Sequence, residues 1–145
     1  MTHVSERELE LPSGIIDQLM AISAEHPEII SLGPGEPDFI TPKPILDYAK
    51  KIIYKSSRYT APTGKHELKE AILKKLRKEN KIKTQIDNII VTTGSQEGLF
   101  AVMLATLDPT EQVILPNPCY LGYIPIIDLV EATPVYVKVT QEEDF

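Results

Sequence analysis

From residue 88 onward the sequence alternates between two rhythms. "NIIVTT", "EQVILP" and "TPVYVKV" are short runs rich in Ile and Val, and the stretches between them, "SQEGLFAVMLATLDP" and "YLGYIPIIDLVEA", carry helical spacing. This alternation constrains the fold more than any other feature of the chain. Parallel strands need crossovers too long for a tight hairpin, and a helical crossover returns over the face of the sheet. The expected class is therefore α/β, with a mainly parallel sheet covered by helices and preceded by an N-terminal helical segment. Ser95 is placed to cap the first of these helices, and Asp108 with Pro109 to stop it. Pro125 suits the second helix only if that helix starts a few residues earlier, where a missing N–H costs little.

Upstream the patterns are helical and loop-like. The opening "MTHVSERELE" is polar and reads as an arm. "LPSGIIDQLMAISAEH" predicts a short helix capped by Ser13 and ending before Pro27. "EIISLGPGEPDFITPKP" alternates Gly and Pro and predicts an ordered, turn-rich loop. Ile45, Leu46, Tyr48, Ala49, Ile52 and Ile53 mark a second helix entered through Thr41 to Pro44, and "SSRYTAPTG" is a loop. "KHELKEAILKKLRKEN" places Leu68, Ile72, Leu73 and Leu76 on one stripe, opposite a basic face interrupted by Glu67, Glu70 and Glu79. The expected division is residues 1–30 as arm and helix, and 31–145 as the first part of a larger sheet domain. Three strands with two helices make a thin core, so the chain reads as the front part of something larger.

Charge and composition narrow the function. Fifteen basic residues against 21 acidic ones give a net charge of −6, which argues against a broad nucleic-acid footprint. The lone Cys119 excludes an intrachain disulfide, and His3, His26 and His66 have no metal-ligand spacing. No apolar stretch approaches bilayer-spanning length, and a cytoplasmic setting is expected.

Within this frame a few short stretches carry candidate chemistry. In "TTGSQEGLF", Gly94 lets the chain turn sharply from an extended segment into a helix and present the N–H groups of Ser95 and Gln96. A helix start adds unsatisfied N–H groups and the positive end of a dipole, a setting that holds a phosphate without net positive charge. The plainer alternative is a glycine turn with Ser95 as its cap. Neither GxGxxG nor GxxxxGK is present. In "ILPNPCYLGY", parallel strands deliver Tyr120 to the same sheet end as Ser95, where its ring either stacks on a planar ligand or packs against its neighbours. Cys119 beside it reads as small filler. "LGPGEPDF" offers Gly35 with exposed backbone near a small ligand, or a rigid connector, and "SSRYTAPTG" offers Arg58 and Tyr59.

Taken in order, "SLGPGEPDFITP", "RYTAPTGKHELKEAI", "IIVTTGSQEGLFAVMLATLDP" and "VILPNPCYLGYIPIIDL" resemble the N-terminal part of the class I/II aminotransferases, fold type I enzymes that use pyridoxal 5'-phosphate. The resemblance spans residues 29 to 139. It implies part of a three-layer, aspartate aminotransferase-like major domain. By the same resemblance, Ser95 and Gln96 match the family's phosphate corner and Tyr120 its ring-stacking aromatic. Tyr59 matches a tyrosine reaching the neighbouring subunit's cofactor phosphate, in trans across a homodimer, and Gly35 a glycine beside the substrate carboxylate. The implied partners are an amino acid, aspartate among the options, and a 2-oxo acid, with neither nucleic acid nor membrane. In that chemistry the cofactor ring is an electron sink and the protein supplies orientation and proton transfer.

Two departures stand out. The common "DPGD" turn reads "DPTE", expected to alter only a surface turn, and Cys119 occupies a position where small or hydroxyl residues are frequent. The family's catalytic lysine, the aspartate on the ring nitrogen and the substrate arginine follow later in the motif order, and Lys138 lies too early to replace the lysine. No catalytic residue is therefore assigned, and the expectation is an N-terminal fragment of an aminotransferase, inactive by itself. The alternatives are a non-catalytic remnant that binds a phosphate ligand or dimerises, and a fragment of another fold type I enzyme, a lyase or a synthase.

Overall fold

The computed structural model describes residue 5, residues 15–33 and residues 35–144. The chain divides into two compact units, one over Pro12–Thr60 and the other built mainly of Ala61–Phe145. The arm and the Ser13 cap lie outside the described residues, apart from Ser5.

Helices make up the regular structure of the Pro12–Thr60 unit. Helix α1 covers Ile15–Glu25 and ends before Pro27, as its apolar spacing predicts. Helix α2 covers Lys43–Ile52, with Pro42 at its cap and Pro44 in its first turn, where a missing N–H removes no intrahelical bond. A 3-10 turn at Ile53–Lys55 follows. The glycine- and proline-rich stretch between the helices forms no regular element among its described residues. None of the described side chains of this unit is buried.

The second unit opens with helix α3, His66–Lys78. Its basic face is not wholly solvated: Lys69 is only 8% exposed, and its ammonium donates to the Thr63 hydroxyl at 3.5 Å. Helix α4 covers Gly94–Thr106, strand β1 Gln112–Asn117, helix α5 Tyr123–Leu129 and strand β2 Thr133–Lys138. The two strands pair in parallel, from Gln112 opposite Thr133 to Asn117 opposite Lys138, with α5 as the crossover. Pro125 is the third residue of α5, within the first turn as anticipated. Leu115, Ile127, Val130 and Ala132 form the core, and Met103, Leu107, Val113, Cys119, Tyr123 and Ile124 pack against it.

Two expectations need correction. "NIIVTT" forms no strand, and the described sheet has two strands rather than three. Ile89 has extended dihedrals, but the backbone partner of Val91 is a turn, through the bond from its N–H to the Thr63 carbonyl at 3.1 Å. A strand exists only by pairing with another, and no described strand lies alongside this segment. The "DPTE" turn, for its part, places Thr110 at a φ of 72°, where the family commonly has glycine. That is left-handed backbone, unfavourable for a β-branched residue, so the change loads the turn and does not merely recolour its surface.

Candidate functional site

The corner before α4 is built from its backbone upward. Gly94 takes a φ of 78°, a conformation that side chains rarely adopt, and with the bend at Thr93 it turns the chain into the helix. The Gly94 N–H donates to the Thr92 carbonyl at 2.9 Å, and the Thr92 hydroxyl donates to the Gly94 carbonyl at 2.8 Å, which locks the turn from both sides. The Glu97 carboxylate reaches back to accept the Thr93 N–H. Ser95 is consequently the second residue inside the helix and not its cap; Thr93 holds the cap position, with no side-chain cap bond. The reason for this correction is the tight turn at Gly94, whose N–H bonds the Thr92 carbonyl, so that the helix begins at Gly94 and Ser95 falls two positions further in than a cap.

This arrangement leaves the hydroxyl of Ser95 and the first N–H groups of α4 at an exposed helix start, where a helix has no carbonyls of its own to offer them. A β-carbon added at Gly94 would meet nothing within 4 Å, so the turn opens onto free space. Helix dipole and N–H groups together favour an anion there, while the Glu97 carboxylate, engaged by the Thr93 N–H, opposes one.

Tyr120 stands next to this corner. After β1 the chain turns through Pro118, and the Gln96 amide donates to the Gly122 carbonyl at 3.1 Å. The Tyr120 hydroxyl lies 3.4 Å from the Gln96 amide oxygen, and the Tyr120 ring meets Tyr123 edge-on, at 5.4 Å between centroids and an interplanar angle of 87°. The segment after β1 thus meets the start of α4 through Gln96, and three of the residues singled out from the sequence, Ser95, Gln96 and Tyr120, share one neighbourhood, without the strand expected ahead of Ser95. Tyr59 and Gly35 belong to the other unit, where Tyr59 is fully exposed on its loop and an added β-carbon at Gly35 would meet no atom within 4 Å.

Two participants escaped the sequence reading. Glu97 has only its position in the first turn to mark it, and Gly122, two residues beyond Tyr120 in "CYLGY", has no turn signature. Among the described residues there is no cluster of His, Cys, Asp and Glu fit to hold a metal ion, and no helix long and apolar enough to cross a membrane. The corner offers an anion the Ser95 hydroxyl and the N–H groups at the start of α4, and the half-exposed Tyr120 ring stands beside it.

Comparison with known proteins places the chain in a family. The family described as aminotransferase class I and II matches residues 27–145. An aspartate/prephenate aminotransferase of Nitrosomonas europaea is 39% identical over 125 residues, covering 86% of this chain and 32% of that protein. An aspartate aminotransferase of Pyrococcus horikoshii is 33% identical over 143 residues, covering 98% of this chain and 37% of that protein. In structure, the chain superposes on Thermus thermophilus aspartate aminotransferase with maleate at a TM-score of 0.90 and 29% identity, over 99% of this chain and 39% of that one. The aspartate aminotransferase of Rhizobium meliloti gives a TM-score of 0.85 at 33% identity, over 98% and 37%. The chain spans about a third of the length of the curated relatives it matches, 32% and 37% in the two cited here. On sequence and fold together, it belongs to the class I and II aminotransferase family, whose N-terminal portion it carries.

Proposed function

We propose that this chain supplies the phosphate corner and ring platform of a pyridoxal 5'-phosphate-dependent aminotransferase, and that alone it does not transaminate. The observation that carries the reading is the link between the α4 start and Tyr120 through Gln96, which contacts both Gly122 and the Tyr120 hydroxyl. When bound, the cofactor supplies an electron sink for amino transfer. Ser95 and the first N–H groups of α4 hold the phosphate, Gln96 fixes the approach of the 120–122 segment, and Tyr120 lays its ring on the cofactor ring.

The substrates proposed are an amino acid and a 2-oxo acid, with aspartate favoured because the cited relatives are aspartate aminotransferases and the Thermus protein holds maleate, a dicarboxylate. Gly35 is assigned to the substrate carboxylate, and the exposed Tyr59 to the partner subunit's phosphate in a homodimer. We include in this reading an arm and helix over residues 1–30, the first part of the cofactor-binding domain over 31–145, and a cytoplasmic setting, which the lone Cys119 suits.

The test is binding of pyridoxal 5'-phosphate to the 145-residue chain and to Ser95→Asp, with amino transfer from aspartate to a 2-oxo acid assayed alongside. A carboxylate at this helix start repels the phosphate dianion, so the variant is expected to lose at least about tenfold in affinity, with no transamination by either protein. Equal binding by the two proteins, or amino transfer by the chain alone, overturns the reading.

A further inference from the structure

A glycine at the start of a helix usually answers a demand of the backbone. Gly122 does not: its φ of −69° and ψ of −9° are right-handed helical values open to any ordinary residue. What requires the missing side chain is the Tyr120 ring. A β-carbon at position 122 would lie 2.7 Å from Tyr120 Cζ and 2.9 Å from its hydroxyl oxygen, and nearer still to Cε1, closer than real β-carbons approach.

The ring cannot step aside without loss. Its hydroxyl is held at Gln96, its edge-to-face contact is with Tyr123, and the Gln96 amide clasps the carbonyl of Gly122 itself. Gln96 therefore touches both ends of the segment that carries the ring, and sits directly after Ser95 in the first turn of α4. Tyr120 remains 51% exposed in this clasp, which leaves ring surface open to a planar ligand.

We propose that Gly122 is a positioning residue: by lacking a side chain it lets the Tyr120 ring rest beside the α4 corner, and so sets the stacking part of ligand affinity separately from the phosphate part. The inference rests on the assignment of Tyr120 as the stacking residue. It predicts that Gly122→Ala pushes the ring off its seat while Gly94, Ser95 and the helix start stay as they are.

The experiment compares the affinities of the 145-residue chain and of Gly122→Ala for pyridoxal 5'-phosphate and for inorganic phosphate. Loss of one aromatic contact is expected to weaken pyridoxal 5'-phosphate about two- to tenfold and to leave inorganic phosphate unchanged. In a Tyr120→Ala background, where no ring needs the space, Gly122→Ala should then have no further effect. A loss that is equal for both ligands, or that persists without the ring, overturns the proposal, because a backbone or capping role produces that result. Should Gly122→Ala fail to fold by far-ultraviolet circular dichroism, the unaltered chain decides: a nuclear Overhauser contact between the Tyr120 ring and the Gly122 Hα protons supports the seat, and its absence overturns it. A chain that binds pyridoxal 5'-phosphate but ignores Gly122→Ala overturns this inference alone, whereas a chain that binds neither ligand overturns the corner reading and this inference with it.

Discussion

The stretch from α4 to β2 and the stretch from α1 to Tyr59 are both well supplied with Ile, Leu and aromatic residues, and both expose several, yet among the described residues only the first buries any. Ile127 in the first is fully buried, whereas Ile30 and Leu32 in the second are 89% and 95% exposed. The difference lies in geometry and not in apolar content. Two paired strands with a helical crossover offer faces that close on one another, and Leu115, Ile127, Val130 and Ala132 fill the gap. Two helices joined by a Gly- and Pro-rich loop present stripes with nothing described in their own unit that buries them. The family's motif residues are divided in the same way: Ser95, Gln96 and Tyr120 share a connected neighbourhood, while Gly35 and Tyr59 stand on open loops.

This contrast breaks most directly at Ile127. Ile127→Ala removes a fully buried side chain and is expected to cost about 2–5 kcal/mol in urea unfolding, while Ile30→Ala should stay within about 0.5 kcal/mol. Similar losses at the two positions would mean that residues 15–60 contribute to a common core after all. Gly64→Ala comes next. Gly64 has a φ of 102°, and an added β-carbon would lie 2.7 Å from Val91 Cβ, so a loss of about 1–3 kcal/mol is expected from the same measurement. Thr110→Gly should act in the other direction and raise stability by about 1 kcal/mol, since it relieves a β-branched residue of left-handed backbone; a lower melting temperature would contradict this. Smallest of all, Asp47→Asn in α2 removes an exposed i,i+4 pair with Lys43 and should shift stability by no more than about 0.5 kcal/mol.

Much of this was legible beforehand because helix periodicity and Gly–Pro punctuation are local signals. Helices α1 to α5 and the position of Pro125 follow from spacing that each segment carries within itself. The strand expected at "NIIVTT" did not follow, since apolar alternation states that a segment is fit to pair and says nothing about whether a partner lies beside it. Ser95 was assigned two positions too far out, because a serine at a helix start looks the same whether the turn ahead of it is ordinary or, as at Gly94, of positive φ. Ser95 and Tyr120 do lie near one another, but the strand expected to deliver Ser95 is absent, and the link is Gln96 to the segment after β1. Gly122 was not foreseeable: its reason is a ring two residues away folding back on it, a contact that no spacing rule encodes.

The open apolar side chains of the Pro12–Thr60 unit bear on the lifetime of such a chain in a cell. Ile30, Leu32, Phe39 and Ile40 lie close together in sequence and are all exposed, which is the kind of segment that chaperones and quality-control proteases recognise. Abundance of this polypeptide would then be set less by the strength of its small core than by how quickly another surface covers that segment after synthesis.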